Sequence, residues 1–358
     1  MRVLCAMNGG NGPQSYAQNS SYQRGATEVA KEIIREEIDK KLDIKQLSST
    51  SMDPFCIADF GCSTGPNTFV AMQIIIEALE DKFKKEGLTP EFQVFFNDLA
   101  SNDFNTLFAS LPPERHYCAA GVPGSFHSVM FPKASLHFAY SSYSLHWLSK
   151  VPKEVTDNTS PAWNKGKIHH GGAKREVLDA YASQFAKDLD SFLNARAHEL
   201  VDGGLMALLI PAAPDAIRES HTSTITEVEC EVLGSCLMDL AKKGVVDEVK
   251  VHMFNLPVYF TFPNELKALL KANENMDVQR MEILNIPGKQ VLFPNRTANV
   301  LYLRAVLQGV LEKHFGSGIV DELFELYGRK VADSSFFFDP ENQDLIVIFV
   351  LLRRKMRT

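Results

Sequence analysis

Two carboxylates at the ends of apolar runs are the residues of this chain best placed to do chemistry. The first, Asp59, lies in the run Phe55–Phe60 and is followed by Gly61-Cys62-Ser63-Thr64-Gly65-Pro66-Asn67. That order predicts a buried strand, a tight glycine turn and a helix opened by Pro66, because proline suits the first turn of a helix. A glycine turn lets a ligand approach the backbone closely. A dinucleotide loop would read G-x-G-x-x-G and set a pyrophosphate on the helix N-terminus. Here the middle glycine is missing, and Asp59 would repel phosphate. The second carboxylate, Asp98, ends the run Glu91-Phe92-Gln93-Val94-Phe95-Phe96-Asn97 and precedes Leu99. A carboxylate at the end of the second strand can accept both hydroxyls of a ribose. Ser125 and Phe126 follow the turn Gly121-Val122-Pro123-Gly124 and are placed to meet an adenine. An acidic strand-end loop suits a cationic nucleoside better than a phosphate. S-adenosylmethionine, with its sulfonium and amino group, fits. The competing reading is an ordinary buried strand with polar ends.

A further apolar run ends in Tyr140-Ser141-Ser142-Tyr143-Ser144-Leu145-His146-Trp147-Leu148. At the end of a fourth strand this stretch faces the ligand crevice. Indole and imidazole N–H groups are both donors, so His146 and Trp147 could hold a small anion. The alternative is a core tryptophan whose N–H meets a backbone carbonyl. The Asn/Asp-Pro-Pro-aromatic run with which DNA amino-methyltransferases contact a target amine is absent here. Of the 24 phenylalanines most belong to the core. Some of the cluster Phe254, Tyr259, Phe260 and Phe262 are expected to line an apolar acceptor pocket. His169 and His170 have no carboxylate or cysteine at ligand spacing and read as loop histidines.

Such residues need a scaffold that brings strand ends together. From Phe55 to Ser142 strand and helix patterns alternate, with strands expected at 55–60, 92–97, 117–121 and 135–141; this is the signature of a doubly wound parallel sheet. A long amphipathic helix is expected over 14–42, crossing the ligand entrance, and another over 175–201. The latter leads to a strand at 204–210, ended by Pro211 and Pro214. Helices at 227–243 and 263–272 then interrupt the α/β pattern before strands return at 278–284 and 344–352. The expected organisation is an α/β core of 1–211 and 276–358 and a helical cap of 212–275, with contributions from 300–330. Inserts after strand C-termini usually form the lid over the substrate.

Composition narrows the function. The chain has 358 residues and a formal charge of −7, a poor match for a protein that must neutralise nucleic-acid phosphates. Six cysteines are scattered without a C-x-x-C pair, so zinc and redox motifs are unsupported. Cys56, Cys118 and Cys236 sit in apolar runs and are expected to be buried free thiols, which suits a reducing compartment. No signal region and no run of 18 apolar residues is found, so the expectation is a cytoplasmic protein with no membrane partner.

As a set, the motifs match one family: SYAQNS from Ser15, ADFGCSTGPNTF from Ala58, FFNDLASNDFNTLF from Phe95, GVPGSFHSVMFP from Gly121, SSYSLHWLSKVP from Ser141, NKGKI from Asn164 and FNLPVYF from Phe254. Over nearly its whole length the chain resembles the plant SABATH methyltransferases. These include salicylate, jasmonate, loganate and farnesoate carboxyl methyltransferases and the caffeine-pathway N-methyltransferases. It looks closest to the loganate, farnesoate and salicylate type. The resemblance implies a Rossmann-like α/β methyltransferase sheet under a substrate-selecting helical cap, S-adenosylmethionine as cofactor, and a homodimer. It implies that Tyr16, Asp59, Gly61, Asn67, Asp98, Leu99, Ser125, Phe126 and Ser142 line the cofactor site. Gln23, Tyr143, His146, Trp147 and Tyr259 would hold a small carboxylic acid, with Gln23 and Trp147 donating to its carboxylate and His146 positioning it.

Two residues depart from the family pattern. Asn8 stands where many carboxyl methyltransferases have lysine. His252 stands where the family often has an aspartate that, with Asn164, Phe254 and Asn255, is associated with magnesium in some members. A hard cation would lose a carboxylate ligand there, which speaks against the metal site. A carboxylate acceptor is anionic at neutral pH by roughly three pKa units and needs no general base. The enzyme must desolvate and align it. An N-methyltransferase acting on a purine or pyridine-type acceptor, and a binding protein that has lost turnover, are the alternatives.

Overall fold

A computed structural model describes residues 6–47, 54–220, 223–286, 296–332, 336–338, 342 and 345–356. Helix α1 (Ser21–Lys41) and a short α2 (Ile44–Leu47) precede β1 (Phe55–Phe60), α3 (Pro66–Lys85), β2 (Phe92–Asp98), α4 (Phe104–Ala109), β3 (Cys118–Pro123) and β4 (Leu136–Ser142). Then come α5 (Arg175–Glu199), β5 (Leu200–Ala212), α6 (Asp215–Ser220), α7 (Ile225–Lys242), α8 (Glu248–Met253), α9 (Pro263–Ala272) and β6 (Met276–Leu284). The chain closes with α10 (Arg296–Phe315), α11 (Val320–Ala332) and β7 (Ile346–Arg354).

The strands form one sheet in the order β3-β2-β1-β4-β5-β7-β6. β3, β2, β1, β4 and β5 pair in parallel, while β7 runs antiparallel to both its neighbours. This is the expected doubly wound α/β sheet. The chain reverses direction across the sheet between β1 and β4, so a crevice opens at their carboxyl ends. Asp59, Asp98 and Ser142 all stand at that edge.

The central strands are apolar on both faces, which is why they read as unbroken aliphatic runs. In β5, Leu205, Ala207 and Leu209 pack into one core with Ile34, Ile38, Ile75 and Leu79, while Met206, Leu208 and Ile210 pack into the other with Phe185, Leu189 and Phe192. A third apolar cluster lies apart from the sheet. It joins Leu233, Leu237 and Leu240 of α7 to Leu303, Leu307 and Leu311 of α10 and Leu323 and Phe324 of α11. Leu266 and Leu270 of α9, which falls in the expected cap, pack instead with the α5 face of the sheet.

Three expectations need correction. The helix expected from residue 14 begins at Ser21. Before it, Asn19 donates to the Pro13 and Ser15 carbonyls at 2.7 and 2.8 Å, and such local side-chain bonds favour turns over helix. The fifth strand runs through Pro211, whose register partner is Val347. Cys118 is exposed and Cys56 half-buried, while Cys236 is buried as expected. β3 is the sheet's edge strand, and one flank of it stays open to solvent.

Candidate active site

The glycine turn after β1 is fixed by sterics and by one asparagine. Gly61 has φ +86°, and a Cβ there would lie 2.0 Å from Ser144 Oγ, so no other residue fits without a shift. The carbonyl of buried Asn97 accepts from Gly61 N at 2.8 Å and Cys62 N at 3.0 Å. Its side-chain amide donates to Val122 O at 2.8 Å and Gly124 O at 3.2 Å. One residue thus ties the loops after β1 and β3 together.

Asp98, next in sequence, accepts Ser63 N on one oxygen and Leu99 N on the other, both at 2.7 Å. A carboxylate has about four acceptor positions, so two are left for a ligand. Asp98 lines a cavity of about 640 Å³ with Tyr16, Gly61, Ser63, Leu99, Ser125, Phe126, Ser142 and His127. Asp59 lines an adjoining cleft with Gln23, Thr27, Asn67, Thr68 and Tyr140. It accepts the Thr68 hydroxyl at 2.5 Å. Burial pushes both acids up, Asp59 to about 7, with the nearby Asp98 adding to the rise, and Asp98 to about 6. Two buried acids raised in this way suit a cation, which would favour their charged forms. The Asn67 amide is already engaged: it accepts from Arg24 Nε at 3.1 Å and donates to Ser20 O and Oγ at 3.0 Å. It therefore fastens α1 to the start of α3.

A second cavity, of about 680 Å³, lies beyond. Met7, Tyr16, Tyr143 and Trp147 line both cavities. The segment after β4 turns sharply there, with Tyr143 at φ +52°. The segment Leu256–Thr261 is docked on it by Leu148 N donating to Pro257 O at 2.8 Å and Tyr259 N to His146 O at 2.9 Å. Extended backbone alternates its side chains, so Val258 and Phe260 face the cavity. Tyr259 points the other way. It is buried in the α5-side core and its hydroxyl donates to Glu265 at 3.0 and 3.1 Å. The expected acceptor contact of Tyr259 is thereby overturned: the strand-like alternation gives that role to its neighbours.

Gln23 and Trp147 face this cavity. The Gln23 side-chain carbonyl is buried without a partner. Trp147 is half-buried and lines both cavities. Buried polar groups are nearly always bonded, and a Gln23 amide turned so that its N–H group faces the cavity would offer a ligand a donor there. His146 stacks on Phe260 at 5.5 Å. Burial pulls its imidazole down to about 3, leaving it neutral at physiological pH.

Comparison with known proteins decides the family. The model for "SAM dependent carboxyl methyltransferase" matches residues 2–355. Loganic acid O-methyltransferase of Catharanthus roseus is 45% identical over 350 residues, covering 98% of this chain and 94% of its own. Paraxanthine methyltransferase 2 of Arabidopsis thaliana is 42% identical over 333 residues, covering 91% and 92%. A solved loganic acid methyltransferase with SAH superposes with a TM-score of 0.92 at 44% identity, covering 98% of this chain and 99% of that one. The chain belongs to the S-adenosylmethionine-dependent carboxyl methyltransferases.

In this carboxyl methyltransferase the residues that the resemblance connects with magnesium are engaged with one another. Asn164 donates to Asn255 Oδ1 at 2.8 Å and to His169 O at 3.0 Å. Phe254 is buried against His314 and Phe315. His252 pairs with Glu248 at 3.3 Å. Among the described residues no three His, Cys, Asp or Glu side chains converge. With histidine at 252, this set offers a hard cation neutral amide and carbonyl oxygens and no carboxylate beyond the exposed Glu248. His169 and His170, read as loop histidines, do lie in a turn, yet both are buried, with rings packed on Phe260 and on Tyr181 and Tyr259. Asn8, in place of lysine, stitches the chain: its N–H donates to Ala305 O at 3.0 Å and its side chain to Gln14 O at 2.8 Å.

Sequence reasoning missed a buried clamp behind the cofactor pocket. Arg196, fully buried over the Phe60 ring, donates to Phe126 O at 2.7 Å and Ser128 O at 2.9 Å. Its partner Glu199 accepts Met130 N at 2.5 Å and Phe131 N at 3.0 Å. The pair fixes the loop that carries Ser125 and Phe126. Three residues apart on one helix, the two read as ordinary surface charges, and no local signal distinguishes them. Met7, Tyr22, Glu229, Tyr302 and Val306 also escaped notice, since nothing local marks a residue that a distant cap brings to the cavity.

Proposed function

We propose that this carboxyl methyltransferase esterifies a small plant acid, with Gln23 and Trp147 gripping the carboxylate where the two cavities meet. The observation that carries this reading is that Gln23 and Trp147, each with an N–H group to donate, both line the acceptor cavity, Trp147 from the wall shared with the cofactor cavity and Gln23 from the wall shared with the Asp59 cleft. When bound, S-adenosylmethionine supplies a methyl group made electrophilic by its sulfonium. Asp98 accepts the ribose hydroxyls, and Leu99, Ser125, Phe126 and Ser142 frame the nucleoside. Asp59 stabilises positive charge, with Asn67 holding the neighbouring helices in place and Tyr16 closing the junction. The acceptor oxygen is already anionic, so no residue has to remove a proton. Gln23 and Trp147 replace its water and aim one oxygen, a gain of proximity and orientation. Neutral His146, stacked on Phe260, positions the acid beside Tyr143; with its pKa lowered it is a poor base, which favours a carboxylate over an N–H acceptor.

Within residues 212–275 and 300–330 the helices of the third apolar cluster act as the substrate-selecting cap in this reading, while α9 packs on the sheet. A cytoplasmic homodimer completes it. Among the described residues no helix is long and apolar enough to cross a membrane, and no disulfide joins two of the described cysteines. The decisive experiment is a panel of small carboxylic acids with labelled S-adenosylmethionine. The expected products are methyl esters cleaved by mild base. Products stable to mild base would place the methyl elsewhere than on the carboxylate and would overturn the carboxylate assignment.

A further inference from the structure

The segment 6–20, ahead of α1, runs along both cavities. Met7 and Tyr16 line the two, and Ala6 lines the cofactor cavity. On the cap side Asn8 N donates to Ala305 O of α10 at 3.0 Å, and Asn8 O accepts Tyr16 N at 2.8 Å. On the sheet side Gly10 N donates to Asp103 Oδ2 at 3.0 Å. Asp103 is also the N-cap of α4: its Oδ1 accepts Thr106 N at 3.0 Å and its Oδ2 the Thr106 hydroxyl at 2.6 Å. The bonds from Thr106, and after them the one from Gly10, hold its carboxyl below the usual carboxylate range. The strap is shaped for this contact. A Cβ on Gly9 would lie 2.8 Å from Asp103 Cβ and 3.0 Å from its Oδ2, and Gly10 has φ +74°, where a side chain would be strained. Two glycines in succession thus let the strap reach Asp103. Asp103 itself lines neither cavity, and none of the cofactor or acceptor roles assigned above uses it.

We propose that Asp103 is a positioning residue for the methyl transfer: with Gly9 and Gly10 it latches the strap, so that Met7 and Tyr16 keep their places at the wall between cofactor and acid. Cutting the latch frees the strap on the sheet side, while the bond from Asn8 to Ala305 still ties it to α10. The loss is then felt in the retention of both ligands and not in the stability of α4. This rests on the reading that S-adenosylmethionine fills the Asp98 cavity and the acid the one beyond it.

The test cuts the contact from each side. Asp103→Ser keeps a capping oxygen for α4, since serine caps a helix about as well as aspartate, but is too short to serve Gly10 as well. Gly9→Ala sets a methyl group against Asp103 and leaves the α4 cap intact. Calorimetric titration with S-adenosylhomocysteine should show an affinity about tenfold weaker in each variant, the scale of a hydrogen bond to a charged group. The KM for the best acid of the panel should rise with it, and kcat should change less than KM. Thermal unfolding of ligand-free Asp103→Ser should match wild type. Because both changes break one contact, the double variant should bind no more weakly than the weaker single one. Folded single variants with wild-type affinity overturn the inference, as does a double variant that loses the product of the two factors. Asp98→Ala separates the two ways of failing: if it also binds S-adenosylhomocysteine as wild type does, the assignment of the cofactor cavity falls, and if it alone binds weakly, only the latch does.

Discussion

The cofactor cavity is built mostly from strand ends and the loops that follow them, within residues 59–67, 97–99, 122–127 and 142–147, and is closed by Met7 and Tyr16. The acceptor cavity draws on Met7, Gln23, Trp147, Pro211, Glu229, Phe260, Tyr302 and Leu345, from segments scattered through the whole chain. In the first, backbone groups and short side chains determine the shape: Asn97 and the paired N–H groups on Asp98 leave little freedom. In the second, large side chains determine it, several of them on helices that pack apart from the sheet. A cofactor common to a family needs the first plan. An acceptor that differs between relatives needs the second, and 45% identity to a loganic acid enzyme alongside 42% to a paraxanthine enzyme fits that division.

If the cofactor half is defined by backbone, its largest weakness is Gly61. Gly61→Ala forces a left-handed alanine and a Cβ into Ser144 Oγ. We expect cofactor affinity to fall by about two orders of magnitude or more, measured by calorimetric titration. Gly61→Ala with Ser144→Gly should recover part of the loss by relieving the contact. No recovery would show that backbone strain alone is responsible. Asp98→Ala should weaken cofactor binding at least about tenfold, the scale of losing charge-assisted hydrogen bonds; a folded variant of wild-type affinity would overturn the ribose assignment.

A smaller effect is set by pH. Asp59 and Asp98 are raised to about 7 and about 6, and a cationic cofactor prefers them ionised. Lowering pH from 8 to 5.5 should weaken cofactor binding by about tenfold. Stability of the cofactor-free protein should respond in the opposite direction. An acid whose pKa is higher in the folded state contributes stability at low pH that is lost as pH rises through 6 to 7. Parallel titrations of affinity and of thermal unfolding check both signs. The smallest expected effect is that of a chelator. With Asn164 and Asn255 bonded to each other, EDTA should leave initial rates unchanged, and loss of activity with rescue by magnesium would contradict the account of that cluster.

The same contrast governs what could be read from sequence. The strand ends, the glycine turn and both cofactor acids were legible because a buried parallel strand is a continuous apolar run and its loop residues follow directly. Gln23, His146 and Trp147 were legible only through whole-motif resemblance. Tyr259 was misassigned because a short extended stretch does not announce which of its faces is inward; its backbone bond to His146 decides that. The Arg196–Glu199 clamp and Glu229 were invisible for a related reason. Ionisable residues in an amphipathic helix look solvated until the partner that buries them is known, and those partners lie 68 to 70 residues away for Arg196.

The two halves are separable if Trp147, at their common wall, serves the acceptor and not the cofactor. Trp147→Phe keeps most of the apolar shape and deletes one N–H. Removing a donor to a desolvated anion costs roughly 1.5–3 kcal/mol. Measured on the best acid of the panel, the variant should lose about one to two orders of magnitude in carboxyl methylation, while its affinity for S-adenosylmethionine stays within about twofold of wild type. Wild-type turnover in Trp147→Phe would make the tryptophan a mere wall of the cavity and contradict the carboxylate grip.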